Sequence, residues 1–77
     1  MEQRELIILR KQREYDKIIV TETATENSVV VVCKKEHNYY VYRYFVMNGE
    51  WLVSIDSEET CADQALVSYT RSISFLL

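Results

Sequence analysis

The chain has 77 residues, a formal net charge of −3 and a hydrophobic content of 48%. That length allows one domain and one core, and it buries only about 60 to 65% of the unfolded surface, so a partner would add stability. Proline is absent and Gly49 is the single glycine, which excludes flexible linkers, glycine-rich phosphate loops and most nucleotide-binding functions.

The first 16 residues are compatible with a helix or with an extra strand. Their Glu, Gln, Arg, Lys and Leu content favours a helix, but residues 6–9 (LIIL) place apolar side chains all round a helical turn instead of along one stripe. The rival is a strand over residues 6–11 that folds back onto the next segment. Composition favours the helix, and either alternative gives an α+β protein.

Two segments rich in β-branched residues follow. Residues 17–23 and 28–33 predict strands, with a hairpin loop over residues 24–27. The second segment is apolar on both of its faces, which indicates a central strand. A polar loop over residues 34–38 then leads into a long predicted strand, residues 39–47.

Asn48-Gly49 is the strongest turn signal in the chain. A type I′ turn needs positive φ at both central residues, and Asn-Gly accepts this at least cost. Residues 50–55 are therefore predicted to run back antiparallel beside the preceding strand.

A helix is predicted to begin at Asp56 or Ser57. Either residue can cap a helix, and the spacing from Asp56 to Glu59 imitates a capping box. Apolar residues then recur at steps of three and four, at Ala62, Ala65, Leu66, Tyr69, Ile73 and Leu76. The predicted fold is an antiparallel sheet of four strands in hairpin order, or five with the N-terminal segment, packed by this C-terminal helix.

The chain offers little material for catalysis. Cys61 falls in the first turn of the predicted helix, where the dipole favours a thiolate, but the neighbouring acids oppose it and a packing role is favoured. His37 lies in a polar loop with only Glu36 beside it as an orienting carboxylate. We expect no catalytic residue, and hence a protein that is not an enzyme.

Metal and cofactor sites are not expected either. Cys33, Cys61 and His37 cannot complete a tetrahedral zinc site, and the carboxylate pairs lack the loop pattern that calcium requires. Without a signal-peptide order at the N-terminus or an apolar run long enough to cross a bilayer, a cytoplasmic location without membrane contact is predicted, with both thiols reduced.

The aromatic strand has two different faces. Strand alternation puts Val41, Arg43, Phe45 and Met47 on one face, and Tyr40, Tyr42 and Tyr44 on the other. We assign the first face to the C-terminal helix, with Arg43 reaching outward along its apolar stem. The tyrosine face is then left for the N-terminal segment, for a second copy of the chain or for a target.

From residue 48 to residue 70 every charged side chain is acidic. Tyrosine suits interfaces because it joins a large rigid ring to a hydroxyl, and acidic groups steer a protein toward a basic surface. We therefore predict a small protein-binding module, anchored by the tyrosine face and guided by the acidic segment; a homodimer through the same sheet is compatible. The predicted partner-binding residues are Tyr40, Tyr42, Tyr44, Trp51, Glu50, Asp56, Glu58, Glu59 and Asp63.

The size of the chain and its order of hairpins followed by a helix are similar to those of small phage-encoded inhibitors such as anti-CRISPR proteins. This resemblance covers the layout only. It implies an inhibitor of a host protein, whose nucleic-acid-binding site the acidic segment would block.

The alternative is a nucleic-acid-binding or transcription-regulating module, because tyrosines on a strand with basic neighbours can stack bases. The basic residues in question are Arg10, Lys11, Arg13, Lys34, Lys35 and Arg43. A net charge of −3 lacks the positive field that phosphate binding needs, so a protein partner is preferred to nucleic acid.

Overall fold

The computed structural model describes residues 3–22 and 25–76. Over these residues the elements are α1 (Gln3–Glu14), β1 (Lys17–Glu22), β2 (Ser28–Lys35), β3 (Asn38–Met47), β4 (Glu50–Glu59) and α2 (Ala62–Leu76). The strands form one antiparallel sheet in the order β1-β2-β3-β4. The predicted α+β class and hairpin order are confirmed, and the N-terminal segment is a helix. Thr23 and Ala24, predicted as strand end and loop, lie outside the described residues.

Strand β2 forms the centre of the protein, as its apolar pattern predicted. Residues 29–33 are at most 1% exposed, because a helix packs over each face of the sheet. On the α1 face, Val29, Val31 and Cys33 pack with Ile7. On the α2 face, Val30 and Val32 pack with Ala65. Alternation along one strand thus supplies both halves of the core.

The sequence predicted the β3–β4 turn more accurately than the β2–β3 turn. Asn48 and Gly49 both have positive φ, 53° and 80°, as the type I′ prediction requires. The β2–β3 turn is shorter than the predicted loop, because β2 extends to Lys35 and β3 starts at Asn38. Glu36 makes this turn possible by adopting a φ of 57°.

Asp16 holds the β2–β3 turn to the end of α1. The backbone nitrogen of Asp16 donates to the carbonyl of Lys34 at 2.9 Å. The Asp16 carboxylate accepts from the backbone nitrogen of Glu36 at 2.7 Å. The strained left-handed residue is therefore stabilised by a contact with a segment twenty positions earlier in the chain.

The predicted helix start at Asp56 or Ser57 is wrong. Strand β4 continues to Glu59, and α2 begins at Ala62 after the carbonyl of Cys61 accepts from the nitrogen of Ala65. Ser57 and Glu59 pair with Val41 and Tyr39 of β3. A helix cap contributes about 1 kcal/mol, whereas ending β4 early would leave the backbone groups of the long strand β3 unpaired.

A β-bulge at Asp56 interrupts this pairing. Tyr42 opposes Ile55 and Val41 opposes Ser57, so Asp56 is the extra residue. The bulge reverses the faces of the residues that follow it: Glu58 opposes Tyr40 and Glu59 opposes Tyr39.

Helix α2 covers the face that the sequence assigned to it. Val41 is buried against Ala65, with Tyr69 and Ile73 packed beside them. The prediction is wrong for Met47, which is 55% exposed at the hairpin tip. It is also wrong for Ala62 and Leu66, which are exposed, whereas the polar Ser72 is buried. The side chain of Leu76 lies outside the described ones.

Helix α1 covers only part of its own face. It packs mainly on β1 and β2. A helix is about 10 Å wide and neighbouring strands lie about 4.8 Å apart, so one helix shields roughly two strands. Side chains at the end of α1 reach over β3, and the β4 part of this face is left to its own side chains.

Candidate protein interface

The predicted tyrosines lie on the α1 face and form part of its packing. Tyr42 is only 8% exposed, and Tyr40 and Tyr44 are half-buried. Their ring centroids follow one another along β3 at 6.5 Å and 6.4 Å. Tyr15, just after α1, completes this tyrosine layer: its ring lies 5.3 Å from Tyr40, and its hydroxyl is hydrogen-bonded to that of Tyr42.

Lys11 of α1 lies directly over the tyrosine layer. Its ammonium is 3.8 Å from the ring centroid of Tyr42, 5.3 Å from that of Tyr15 and 5.8 Å from that of Tyr44. The residue is 8% exposed, and its remaining charge partner is Glu14 at 3.4 Å. An ammonium over ring faces is attracted by the ring quadrupoles, more strongly when it is shielded from water.

These surroundings change the pKa values of the buried groups. Burial alone would lower the pKa of Lys11, but its hydrogen bond to Tyr44 and the neighbouring charges outweigh it, so this pKa is raised. Burial raises the pKa of Tyr44 by more than Lys11 lowers it. Burial and the hydrogen bond to Tyr42 raise the pKa of Tyr15. Tyr15 and Tyr44 therefore hold their protons more tightly than free phenols do.

The tyrosine layer thus packs against the N-terminal segment, the first of the three occupants that the sequence left open for this face. It receives α1, with Ile7 and Lys11 as the buried contacts of that helix. Lys11 and Tyr15 were missed because a lysine in a weakly apolar helix resembles a solvent-exposed residue. The role of the predicted tyrosines in binding a partner stays a prediction, and Tyr42 cannot serve it while α1 is in place.

A more exposed apolar surface lies beside the tyrosine layer. Trp51, Val53 and Ile55 oppose Val46, Tyr44 and Tyr42, so they share the α1 face. Val53 is 54% exposed and Ile55 is 65% exposed, while Trp51 is half-buried against the core. We call these three residues the β4 strip. Only Trp51 was predicted as a binding residue, although alternation along β4 places the other two on the same face.

Two of the predicted acidic residues flank the β4 strip. Glu50 is exposed at the start of the strand, and Glu58 is exposed after the bulge, where it accepts from the amide of Asn38 at 3.3 Å. Asp63 is exposed on α2 and Glu59 is half-buried beside that helix, both away from the strip. By register, Glu58 shares the face of the strip, whereas Glu50, opposite Met47, and Glu59, opposite Tyr39, lie on the α2 face.

Asp56, the fifth predicted acid, is directed inward on the α2 face. It pairs with Arg43 at 3.6 Å, and its carboxylate accepts from the hydroxyls of Ser54 at 2.8 Å and of Ser72. The Arg43 guanidinium also lies 4.1 Å from the ring centroid of Phe75. Arg43 is thus held inside this network, which corrects the prediction that it reaches outward.

A groove of about 380 Å³ runs between β4 and α2 above this network. The Nε atom of Arg43 and the hydroxyl of Ser57 are buried there without a hydrogen-bond partner in the described residues. Because both atoms are enclosed by protein, a molecule in the groove would not reach them.

The reactive side chains are dispersed. Cys33 is buried in the α1-face core, and burial raises the pKa of its thiol to about 11, more than Lys11 lowers it. Cys61 is an exposed free thiol that precedes α2, and His37 is exposed in the β2–β3 turn. Within the described residues no group of three His, Cys, Asp or Glu side chains could hold a metal ion. In the same part of the chain, neither helix has the length and apolar character needed to cross a membrane.

Comparisons with protein-family models, with curated proteins and with solved structures gave no match to this chain. Its function is therefore inferred from its own side chains.

Proposed function

We propose that this protein is a non-enzymatic binding module that recognises another protein through the β4 strip. The tyrosine layer adjoins this surface on the neighbouring strand, and the acidic residues at the two ends of β4 guide the partner. Exposure of the strip is the observation on which the proposal depends. The strip replaces Tyr42 as the centre of the interface, because Tyr42 is buried under α1.

The strip has the character of an interface rather than of ordinary protein surface. Isolated exposed apolar residues are common, but Val53 and Ile55 are neighbours on one face and continue into the half-buried Trp51 and Tyr44. Aromatic residues that are already held by a core lose little conformational entropy on binding. A partner could therefore bury a continuous apolar row at low entropic cost.

The free cysteines support a reducing compartment, and we include a cytoplasmic location in the proposal. A phage-type inhibitor of a host protein fits the same surface, since an acidic and apolar patch can occupy a basic site on a target. A homodimer is the competing use of the strip.

The test is affinity capture followed by reconstitution with the purified partner. Val53→Thr combined with Ile55→Thr keeps β-branched residues in the strand and replaces a methyl group of Val53 and the ethyl group of Ile55 with hydroxyls. Loss of these apolar groups from the interface should weaken the complex by about tenfold or more. The matched control is Val67→Thr, an exposed valine on α2.

Circular dichroism should show that all three proteins are folded before binding is compared. Equal affinity of the wild type and the double variant for the reconstituted partner would contradict the proposal. Equal sedimentation mass for all variants would show in addition that the strip does not mediate self-association.

A further inference from the structure

We infer that the partner binds as an extended segment, apolar at alternate positions and carrying Lys or Arg, that pairs with residues 50–55 as an additional strand. This inference rests on the proposed function and specifies the partner and the mode of binding. It starts from the position of β4. Strand β4 is the last strand in the sheet order, and no described strand pairs with its outer side. An edge strand presents a row of unpaired N–H and C=O groups.

The two edges of the sheet are protected to different degrees. Strand β1 is six residues long, begins with Lys17, and has a register shift between Ile18 and Val20 that interrupts its edge. Strand β4 is ten residues long, and its irregularity comes only after Ile55. Short length, an edge lysine and a bulge are devices that prevent further strand pairing. Residues 50–55 contain neither lysine nor proline, and no register shift falls within them.

The side chains of residues 50–55 fit an incoming strand. Trp51, Val53 and Ile55 recur at every second position on the α1 face, which is the spacing of side chains in an extended peptide. A peptide paired with β4 would set its own apolar side chains beside these three. Backbone hydrogen bonds would supply affinity, and the apolar row would set the register.

Charge selects the class of peptide. Strand β4 contains Glu50, Asp56, Glu58 and Glu59, and it contains no Lys or Arg. Arg43 already pairs with Asp56. The exposed carboxylates of Glu50, on the α2 face before Trp51, and of Glu58, on the α1 face after the bulge, lie at the two ends of this edge, so a peptide with basic residues at its ends is favoured.

The same charges disfavour a second copy of the chain. In a two-fold antiparallel pairing of two β4 strands, every charge that the second copy brings to the edge is again acidic, because β4 contains no Lys or Arg. Like charges directly opposite one another destabilise a sheet. The basic peptide is therefore preferred to the dimer.

The test uses labelled synthetic peptides in which Val or Ile alternates with Lys or Arg, measured by fluorescence anisotropy at low salt. Each peptide is also made in two backbone-methylated forms, with methyl groups on the odd or on the even amides. Only one set of amides can face β4, so one form should bind like the parent. The other loses several backbone hydrogen bonds and should bind at least about tenfold more weakly. Equal binding of both forms, or no binding by any peptide of the panel, would overturn the inference.

Two protein variants locate the contact. Glu50→Lys should weaken binding of the basic peptides about threefold, whereas Asp63→Lys, with the same change in net charge on α2, should have a smaller effect. Equal effects would indicate a long-range field and would overturn the edge assignment. Ile55→Lys should abolish binding, with Val67→Lys as the control. Sedimentation of the wild type as a dimer that Ile55→Lys dissociates would also overturn the inference in favour of self-pairing.

These outcomes separate the inference from the proposed function. If no peptide binds but the Val53 and Ile55 double variant still loses the reconstituted partner, the strip binds a folded surface and only the strand-addition inference fails. If that variant retains the partner, the proposed function itself fails.

Discussion

The two faces of the sheet pack helices by different chemistry. On the α2 face, small and β-branched side chains pack around Ala65, and the charge of Arg43 is neutralised by Asp56 within a network of serine hydroxyls. On the α1 face, aromatic rings receive a lysine. Arg43 therefore has a carboxylate partner inside the fold. Lys11 is stabilised chiefly by the faces of the tyrosine rings, and Glu14 is its only nearby carboxylate among the described ion pairs.

This difference indicates which helix is held more tightly. Helix α2 contacts three strands, and its Ser72 binds Asp56 directly. Helix α1 has two buried residues, Ile7 and Lys11, and one of them is charged. Helix α1, the less tightly held of the two, lies on the face that carries the β4 strip. Binding of a partner to the strip and loosening of α1 would therefore act on the same side of the sheet.

Asp56→Ala should have the largest effect and should act on the α2 face. It leaves the guanidinium of Arg43 in a site where its side chain is only 17% exposed, without a counter-charge. We expect the free energy of unfolding to fall by roughly 2 to 3 kcal/mol, measured by urea denaturation, with little change at exposed Asp63→Ala. Replacing the pair together, with Arg43→Met and Asp56→Leu, should restore most of the loss. A normal stability for Asp56→Ala alone would show that the network is not needed.

Alkaline pH should act on the other face. Lys11, Tyr15, Cys33 and Tyr44 all lie there, and the fold raises the pKa of each. The folded state therefore holds these protons more tightly than the unfolded state, so stability is complete below about pH 9 and falls as the pH rises. For Cys33, a shift from 9.0 to about 11 corresponds to about 2 kcal/mol lost by pH 11.

Urea midpoints at several pH values measure this loss. Cys33→Ala should be less stable than the wild type at pH 7 but should lose less stability between pH 9 and pH 11. Parallel curves for the two proteins would mean that the thiol does not contribute.

Lys11→Met should have the smallest effect and tests whether the attraction between the ammonium and the tyrosine rings stabilises the fold. Methionine keeps the apolar stem but removes the ammonium from the tyrosine layer. Because the ammonium lies 3.8 Å from the ring centroid of Tyr42 and is shielded from water, we expect a loss of about 1 kcal/mol. Arg10→Met, on the exposed side of α1, is the matched control and should change stability by less than about 0.5 kcal/mol. An unchanged or more stable Lys11→Met protein would show that the charge of Lys11 does not stabilise the fold.

The sequence predicted the features that depend on local pattern. The Asn48-Gly49 turn, the central strand and the hairpin order all follow from rules that act over a few residues. The start of α2 was mispredicted because capping signals at Asp56 compete with strand pairing to β3, which is a contact across the sheet.

The candidate interface was less predictable. The bulge at Asp56 decides which acids lie near the β4 strip, and an extra residue in a strand leaves no clear mark in the sequence. Exposure of Val53 and Ile55 depends on where α1 lies across the sheet, a tertiary feature. Burial of Tyr42 depends on the same helix, so the sequence pattern alone could not show which residues of this face stay exposed.

The sheet order has a consequence for how the chain folds. Each strand pairs with its immediate neighbour in the sequence, β1 with β2, β2 with β3, and β3 with β4. Hairpins of this kind form step by step with short loops, so the sequence separation of contacting residues stays low for a β-rich protein. The sheet can therefore assemble as a series of local closures, beginning at the preorganised Asn48-Gly49 turn, with the two helices docking as the faces form.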